Sequence, residues 1–179
     1  MKNSFLAVAM AVAAGVVGTA PRASAAAGDS FTFQMVRPAT ATCLPNSAHA
    51  RVTVSDLGTV QNMHLEVADL TPNTSFTVFI TQHSSRPFGL SLYQGEVQTN
   101  DRGRGVADFT GIFNEETFIL ADVPVQMDHL GIWFADPFDA ANAGCSGITT
   151  PFDGDHVAGI LVLSTENFPD SKGPLLHLK

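Results

Sequence analysis

The densest set of side chains able to hold an ion is Asp153-Gly154-Asp155-His156. Two carboxylates and an imidazole this close together offer oxygen ligands to Ca²⁺, or a nitrogen ligand to a transition metal. The run is shorter than a full calcium loop. Asp and Gly ahead of an apolar strand are also ordinary turn chemistry. A metal site here would need a distant ligand such as His64 or His129.

Other candidates for chemistry are sparser. His64 and Glu66 lie two apart in a strand-like run and so point the same way. Their neighbours Met63, Leu65 and Val67 claim the apolar face, which leaves His64 and Glu66 on a solvated one. Glu115-Glu116 are adjacent. On a strand they would face opposite sides, which does not suit a pair of carboxylates flanking one scissile bond. His83-Ser84-Ser85 places an imidazole beside two hydroxyls, but a triad is assembled in space rather than along the chain. The chain has no Gly-x-Ser-x-Gly elbow, phosphate loop or dinucleotide fingerprint. It therefore points to no catalytic residues, and to no cofactor beyond that candidate Ca²⁺ or transition metal.

Binding chemistry has a better source. The chain holds 13 Phe but one Trp and one Tyr. Phe in that number fills a core. Tyr93 and Trp133 carry polar edges and are candidates to line a groove. Arg86, Pro87 and Phe88 lie just before Tyr93 in an irregular stretch, where binding residues concentrate. Arg86, Phe88, Tyr93 and Trp133 are the candidate binding residues, with simple packing as the alternative for Tyr93 and Trp133.

The elements that must position them read as strands. Phe31, Phe33 and Met35 alternate with polar residues, as do Ala50, Val52 and Val54. Met63, Leu65 and Val67, then Phe76, Val78 and Ile80, repeat the pattern. Period two marks strands with one face on the core and one in water. Ser55-Asp56-Leu57-Gly58-Thr59 reads as a hairpin loop. Further strands are predicted over 90–99, 106–113, 117–121 and 129–135. Val157 to Leu163 is apolar on both faces and reads as one central strand. One short helix is predicted over Pro137 to Ala143, with Asp136 as N-cap, Pro137 at the first position and Gly144 to close it. About nine strands at close spacing suit an immunoglobulin-like β-sandwich. The last residues, with Pro169, Gly173 and Pro174, should run irregularly over the surface, with Leu175, Leu176 and Leu178 able to dock.

Lys2, the apolar run Phe5 to Val17 and Ala23-Ser24-Ala25 form a secretory signal peptide, with cleavage expected after Ala25. The remainder, 26–179, is one domain, secreted or held in the periplasm or cell envelope. No later stretch is apolar for long enough to span a membrane. Cys43 and Cys145 are the only cysteines and should pair in an oxidising compartment. The formal net charge of −8 argues against nucleic acid, which needs clustered Lys and Arg. Neither ligand nor oligomeric state follows from the sequence.

Leu70-Thr71-Pro72-Asn73-Thr74-Ser75-Phe76-Thr77-Val78 resembles the corner segment of fibronectin type III and related immunoglobulin-like sandwiches. There a Leu-x-Pro-x-Thr-x-Tyr pattern turns the chain between two sheets. Phe76 stands where that family has Tyr, so the corner hydroxyl bond is missing. The resemblance implies a sandwich and no shared activity. Over most of the mature length, the chain also looks like a group of uncharacterised secreted bacterial proteins. The stretches that carry this are Phe88-Gly89-Leu90, Tyr93-Gln94-Gly95, His129-Leu130-Gly131-Ile132-Trp133-Phe134 and Thr150-Pro151-Phe152.

These features favour a non-catalytic module that binds a protein or glycan. A metal-dependent exported protein or enzyme using Asp153, Asp155 and His156 is the alternative. A structural envelope protein is a third.

Overall fold

The computed structural model describes residues 29–113, 117–120, 123–145, 150–151 and 157–178. The expected signal peptide, Glu115-Glu116 and the Asp153, Asp155, His156 cluster lie outside the described residues.

The alternating runs form strands β1 (Ser30–Val36), β2 (His49–Asp56), β3 (Gln61–Ala68), β4 (Ser75–Thr81), β5 (Ser91–Gln98) and β6 (Gly105–Gly111). A small hairpin follows, β7 (Thr117–Leu120) with β8 (Val123–Gln126), then β9 (His129–Phe134) and the helix α1 (Pro137–Asn142). The short pair β10 (Thr150–Pro151) and β11 (Val157–Ala158) leads to β12 (Leu161–Ser164), and a 3₁₀ turn, Pro174–Leu178, closes the chain. The fold is mostly β with one short helix, as the sequence predicts. Asp136 caps α1 by accepting a bond from the Phe138 amide at 2.7 Å.

Eight strands form one antiparallel sheet in the order β5-β4-β9-β12-β1-β2-β3-β6. It behaves as two four-stranded layers. β12 and β1 share a single residue pair, Val36 with Ser164. At the opposite side β5 and β6 lie alongside one another without a ladder, and the Phe109 ring lies over Gly95. The layer β5-β4-β9-β12 therefore faces the layer β1-β2-β3-β6 across the core, a sandwich-like arrangement. Met35, Val52, Leu65, Phe76, Ile80, Ile132 and Phe134 are among the side chains buried between them.

The 69–74 segment carries the chain from β3 in one layer to β4 in the other. Asp69 and Asn73 take positive φ, 59° and 51°, to make the turn. The buried Thr99 pins it: its hydroxyl donates to the Thr71 carbonyl at 2.6 Å and accepts from the Thr74 amide at 3.0 Å. Leu70 donates its amide to the Gly103 carbonyl, 3.1 Å. Gly103, with φ +68°, sits so close that a Cβ there would be 2.1 Å from the Leu70 oxygen. Phe76 lacks the corner hydroxyl and instead buries its ring against Phe134, centroids 4.9 Å apart.

Cys43 and Cys145 are bonded, with Cα atoms 5.1 Å apart. Cys43 lies between β1 and β2, and Cys145 just beyond α1, so the disulfide ties the two layers together. Closing a loop of 102 positions constrains the unfolded chain.

Three expectations change. β4 does not have one face in water: Thr77, Phe79 and Thr81 are buried as well as Phe76, Val78 and Ile80. β9 is buried throughout. The run from Val157 to Leu163 is not one strand. It breaks at Gly159-Ile160, where the Gly159 amide donates to the Phe134 carbonyl and the Phe134 amide to Ile160. β12 then pairs with β9 through a register shift. The C-terminal stretch docks through Leu175, as the sequence allows. Leu175 is buried, and the Asp128 carboxylate accepts the Gly173 amide at 3.1 Å. Among the described residues, no helix is long and apolar enough to cross a membrane.

Candidate functional site

Register brings the candidate binding residues together. β4 pairs with β5 on one side and β9 on the other, so Tyr93, Phe79 and Gly131 form one cross-strand row. Thr77 and Trp133 are paired in the next. All five lie on the outer face of their layer. Gly131 has no Cβ, and the Trp133 indole occupies that space: a Cβ there would be 2.3 Å from the ring. Trp133 then meets Phe79 edge-on at 5.3 Å and Phe88 at 5.1 Å, while Tyr93 meets Phe79 at 5.7 Å. With Ala158 and Leu161 this makes a second, smaller apolar cluster outside the main core.

The β4–β5 connection supplies the rest. The Gln82 amide donates to the Leu90 carbonyl and the His83 amide to Phe88, which extends the hairpin beyond the strands. Phe88 thus folds down onto Trp133, and the Arg86 guanidinium lies 5.5 Å from the Phe88 ring centre. This is cation–π geometry. The four candidates therefore form one patch, with unequal parts. Trp133 is 2% exposed and supports the patch from beneath, so it does not line a groove. Arg86 and Tyr93 reach solvent, Tyr93 at 49%. Partial burial, and after it the Glu96 carboxylate, hold the Tyr93 phenol above its ordinary value. Beneath the patch, Thr77 Oγ1 and Trp133 Nε1 are both buried without a hydrogen-bond partner.

The imidazoles go elsewhere. His64 is bonded to Asp108 at 2.9 Å on the solvated face of β3 and β6, as its spacing implies. His129 is wholly buried. A carbonyl can only accept, so Nε2 donates to the Asp170 carbonyl at 3.3 Å, and Nδ1 is hydrogen-bonded to the Thr165 hydroxyl at 2.9 Å. Both nitrogens are committed to holding the C-terminal segment on β9. Ser84 does not meet an imidazole either. Its hydroxyl donates to Asp170 Oδ1 at 2.8 Å, and its amide donates to the same atom at 3.2 Å. These two bonds are the main reason the Asp170 carboxyl lies below the usual carboxylate range. His83 Nδ1 is 3.9 Å from Asp170 Oδ2. The carboxylate thus contacts the serine directly, which is not the relay a nucleophilic serine needs. Among the described residues, no group of three His, Cys, Asp or Glu side chains is placed to hold a metal.

The structure adds a site that the sequence reading did not single out. A groove of about 940 Å³ runs over the outer face of the other layer. Gln34, Arg51, Glu66 and Val106 form one cross-strand row over β1, β2, β3 and β6. His49, Asn100 and Arg104 flank it. Asn100 shapes the β5–β6 hairpin by accepting the Arg102 and Arg104 amides at 2.9 and 3.1 Å, which sets Arg104 beside the row. The signal was the set of polar positions between the apolar ones. Only strand register shows that they share a row.

No protein-family model matches the chain, and no curated protein matches it in sequence.

Proposed function

We propose that the protein is an exported, non-catalytic binding module that holds a protein or glycan against the Arg86, Phe88 and Tyr93 surface. The observation that supports this most directly is the patch itself. Phe88 packs on Trp133, Arg86 lies over Phe88 and Tyr93 packs on Phe79, so residues distant from Trp133 in sequence meet over a second apolar cluster. Tyr and Arg are the residue types that anchor protein interfaces, and an aromatic face equally suits a sugar ring. The bonded cysteines suit the oxidising compartment that an exported chain would enter.

The test is capture by the immobilised protein from a set of extracellular proteins and a glycan array. Arg86→Ala and Tyr93→Ala should each weaken the captured complex about tenfold, the scale of a modest anchor residue. Capture that survives both substitutions unchanged would rule this surface out. Hydrolysis of a captured glycan, abolished by one substitution, would rule out the non-catalytic reading.

A further inference from the structure

The groove over β1, β2, β3 and β6 has a chemistry of its own. On the neighbouring row, polar side chains satisfy one another: Thr32 bonds Thr53 at 3.0 Å, and His64 bonds Asp108 at 2.9 Å. On the groove row they do not. Arg51 and Glu66 are directly opposite, yet form no ion pair. Arg51 and Arg104 have no ion-pair partner among the described residues. A chain of net charge −8 thus gathers two unpaired guanidiniums and the exposed His49 in one groove.

We propose that this groove binds an acidic glycan, a chain whose sugars carry carboxylates. Each guanidinium presents a planar fork of donors that fits a carboxylate with two parallel bonds. The Gln34 and Asn100 amides and the Glu66 carboxylate provide donors and acceptors for hydroxyls. The volume of about 940 Å³ lies toward the upper end of ligand sites, which run from roughly 300 to 1,000 Å³, and leaves room for an oligomer. A peptide is a poorer fit. The lining holds no Phe, Tyr or Trp, and its apolar members are small, so an amphipathic helix finds no anchors. β2 and β3 are paired along their length on both sides and offer no free edge for strand addition. The groove and the aromatic patch share no residue, so either proposal can fail without the other.

The experiment is titration of the purified disulfide-bonded protein with hexagalacturonate, and with the neutral galactose hexamer as control. The acidic oligomer should bind at least about tenfold more tightly than the neutral one. Added salt should weaken it, because the groove is open to solvent. Arg51→Ala and Arg104→Ala should each cost about tenfold in affinity, as expected on losing a charge-assisted bidentate contact. Glu66→Gln, which removes the one negative charge of the row, should tighten binding. Circular dichroism checks the fold; Arg51→Gln and Arg104→Gln keep most of each side chain's length if an alanine variant misfolds. No binding of hexagalacturonate, equal binding of the neutral hexamer, or full affinity when Arg51→Ala and Arg104→Ala are combined would overturn the proposal. A glutamate-rich peptide binding as tightly as hexagalacturonate would overturn the glycan assignment.

Discussion

The two layers are built alike but treat their outer faces differently. On β4 and β9 the outward positions are Thr77, Phe79, Gly131 and Trp133, and the β4–β5 hairpin folds back over them. On β1, β2, β3 and β6 the outward positions include Gln34, Arg51, Glu66, His64 and Asp108, and they stay open. One face therefore acquired a second apolar cluster, and the other a polar groove. A strand covered on both sides can carry apolar residues on both faces, and one facing water carries mostly polar ones outward. The patch is preorganised by packing. The groove is preorganised only by strand register and one hairpin.

The largest expected effect tests what holds the two layers together. Reducing Cys43–Cys145 should destabilise the fold by up to about 4–5 kcal/mol, the loop-entropy scale for a closure of this size. It is read as a fall in melting temperature with dithiothreitol, and an unchanged melting curve would contradict it.

Next comes the contrast between the faces. Trp133→Ala should cost about 3–5 kcal/mol, since it empties the centre of the second cluster. It should also loosen Phe88 and Tyr93, which pack on that cluster directly or through Phe79. Arg51→Ala, on the open face, should stay within about 0.5 kcal/mol. Urea unfolding of both variants would show it; similar losses would mean that the faces are not organised differently.

A finer test lies under the patch. Thr77 is buried with no partner for its hydroxyl. Thr77→Val keeps the shape and removes that group, so stability should rise by up to about 1 kcal/mol. A clear loss would show that the hydroxyl is satisfied within the fold.

The smallest effect is acid-linked. Asp170 has a depressed folded pKa, so its contribution is full above the ordinary carboxylate value, about 4, and is lost as pH falls through the folded value. The carboxylate is largely exposed, so the change is small. Urea midpoints measured below about pH 4 should fall less steeply in Ser84→Ala, which removes the leading cause of the shift. Parallel slopes would refute it.

Most of the strands were legible because alternation is a local signal. Phe31 to Met35, Ala50 to Val54 and Met63 to Val67 place their apolar residues inward as read. The cap at Asp136 and the pairing of Cys43 with Cys145 were also readable, the first from local chemistry and the second because no other cysteine exists. β8 was not, because Pro124 interrupts a run of only four residues. The break at Gly159-Ile160 was hidden for another reason: the Gly159 amide and the Ile160 carbonyl bond to Phe134 of β9, far away in sequence.

Residue type alone named Arg86, Phe88, Tyr93 and Trp133, but could not say which of them reach solvent. That depended on the hairpin folding Phe88 onto the indole, and on Gly131 leaving room for the ring. Nor could it find the groove, because Gln34, Arg51 and Glu66 become neighbours only when β1, β2 and β3 settle in register. Sequence sets which face of each strand is apolar. Which strands stand side by side, and what covers their outer faces, is decided by long-range pairing, and the candidate sites are made there.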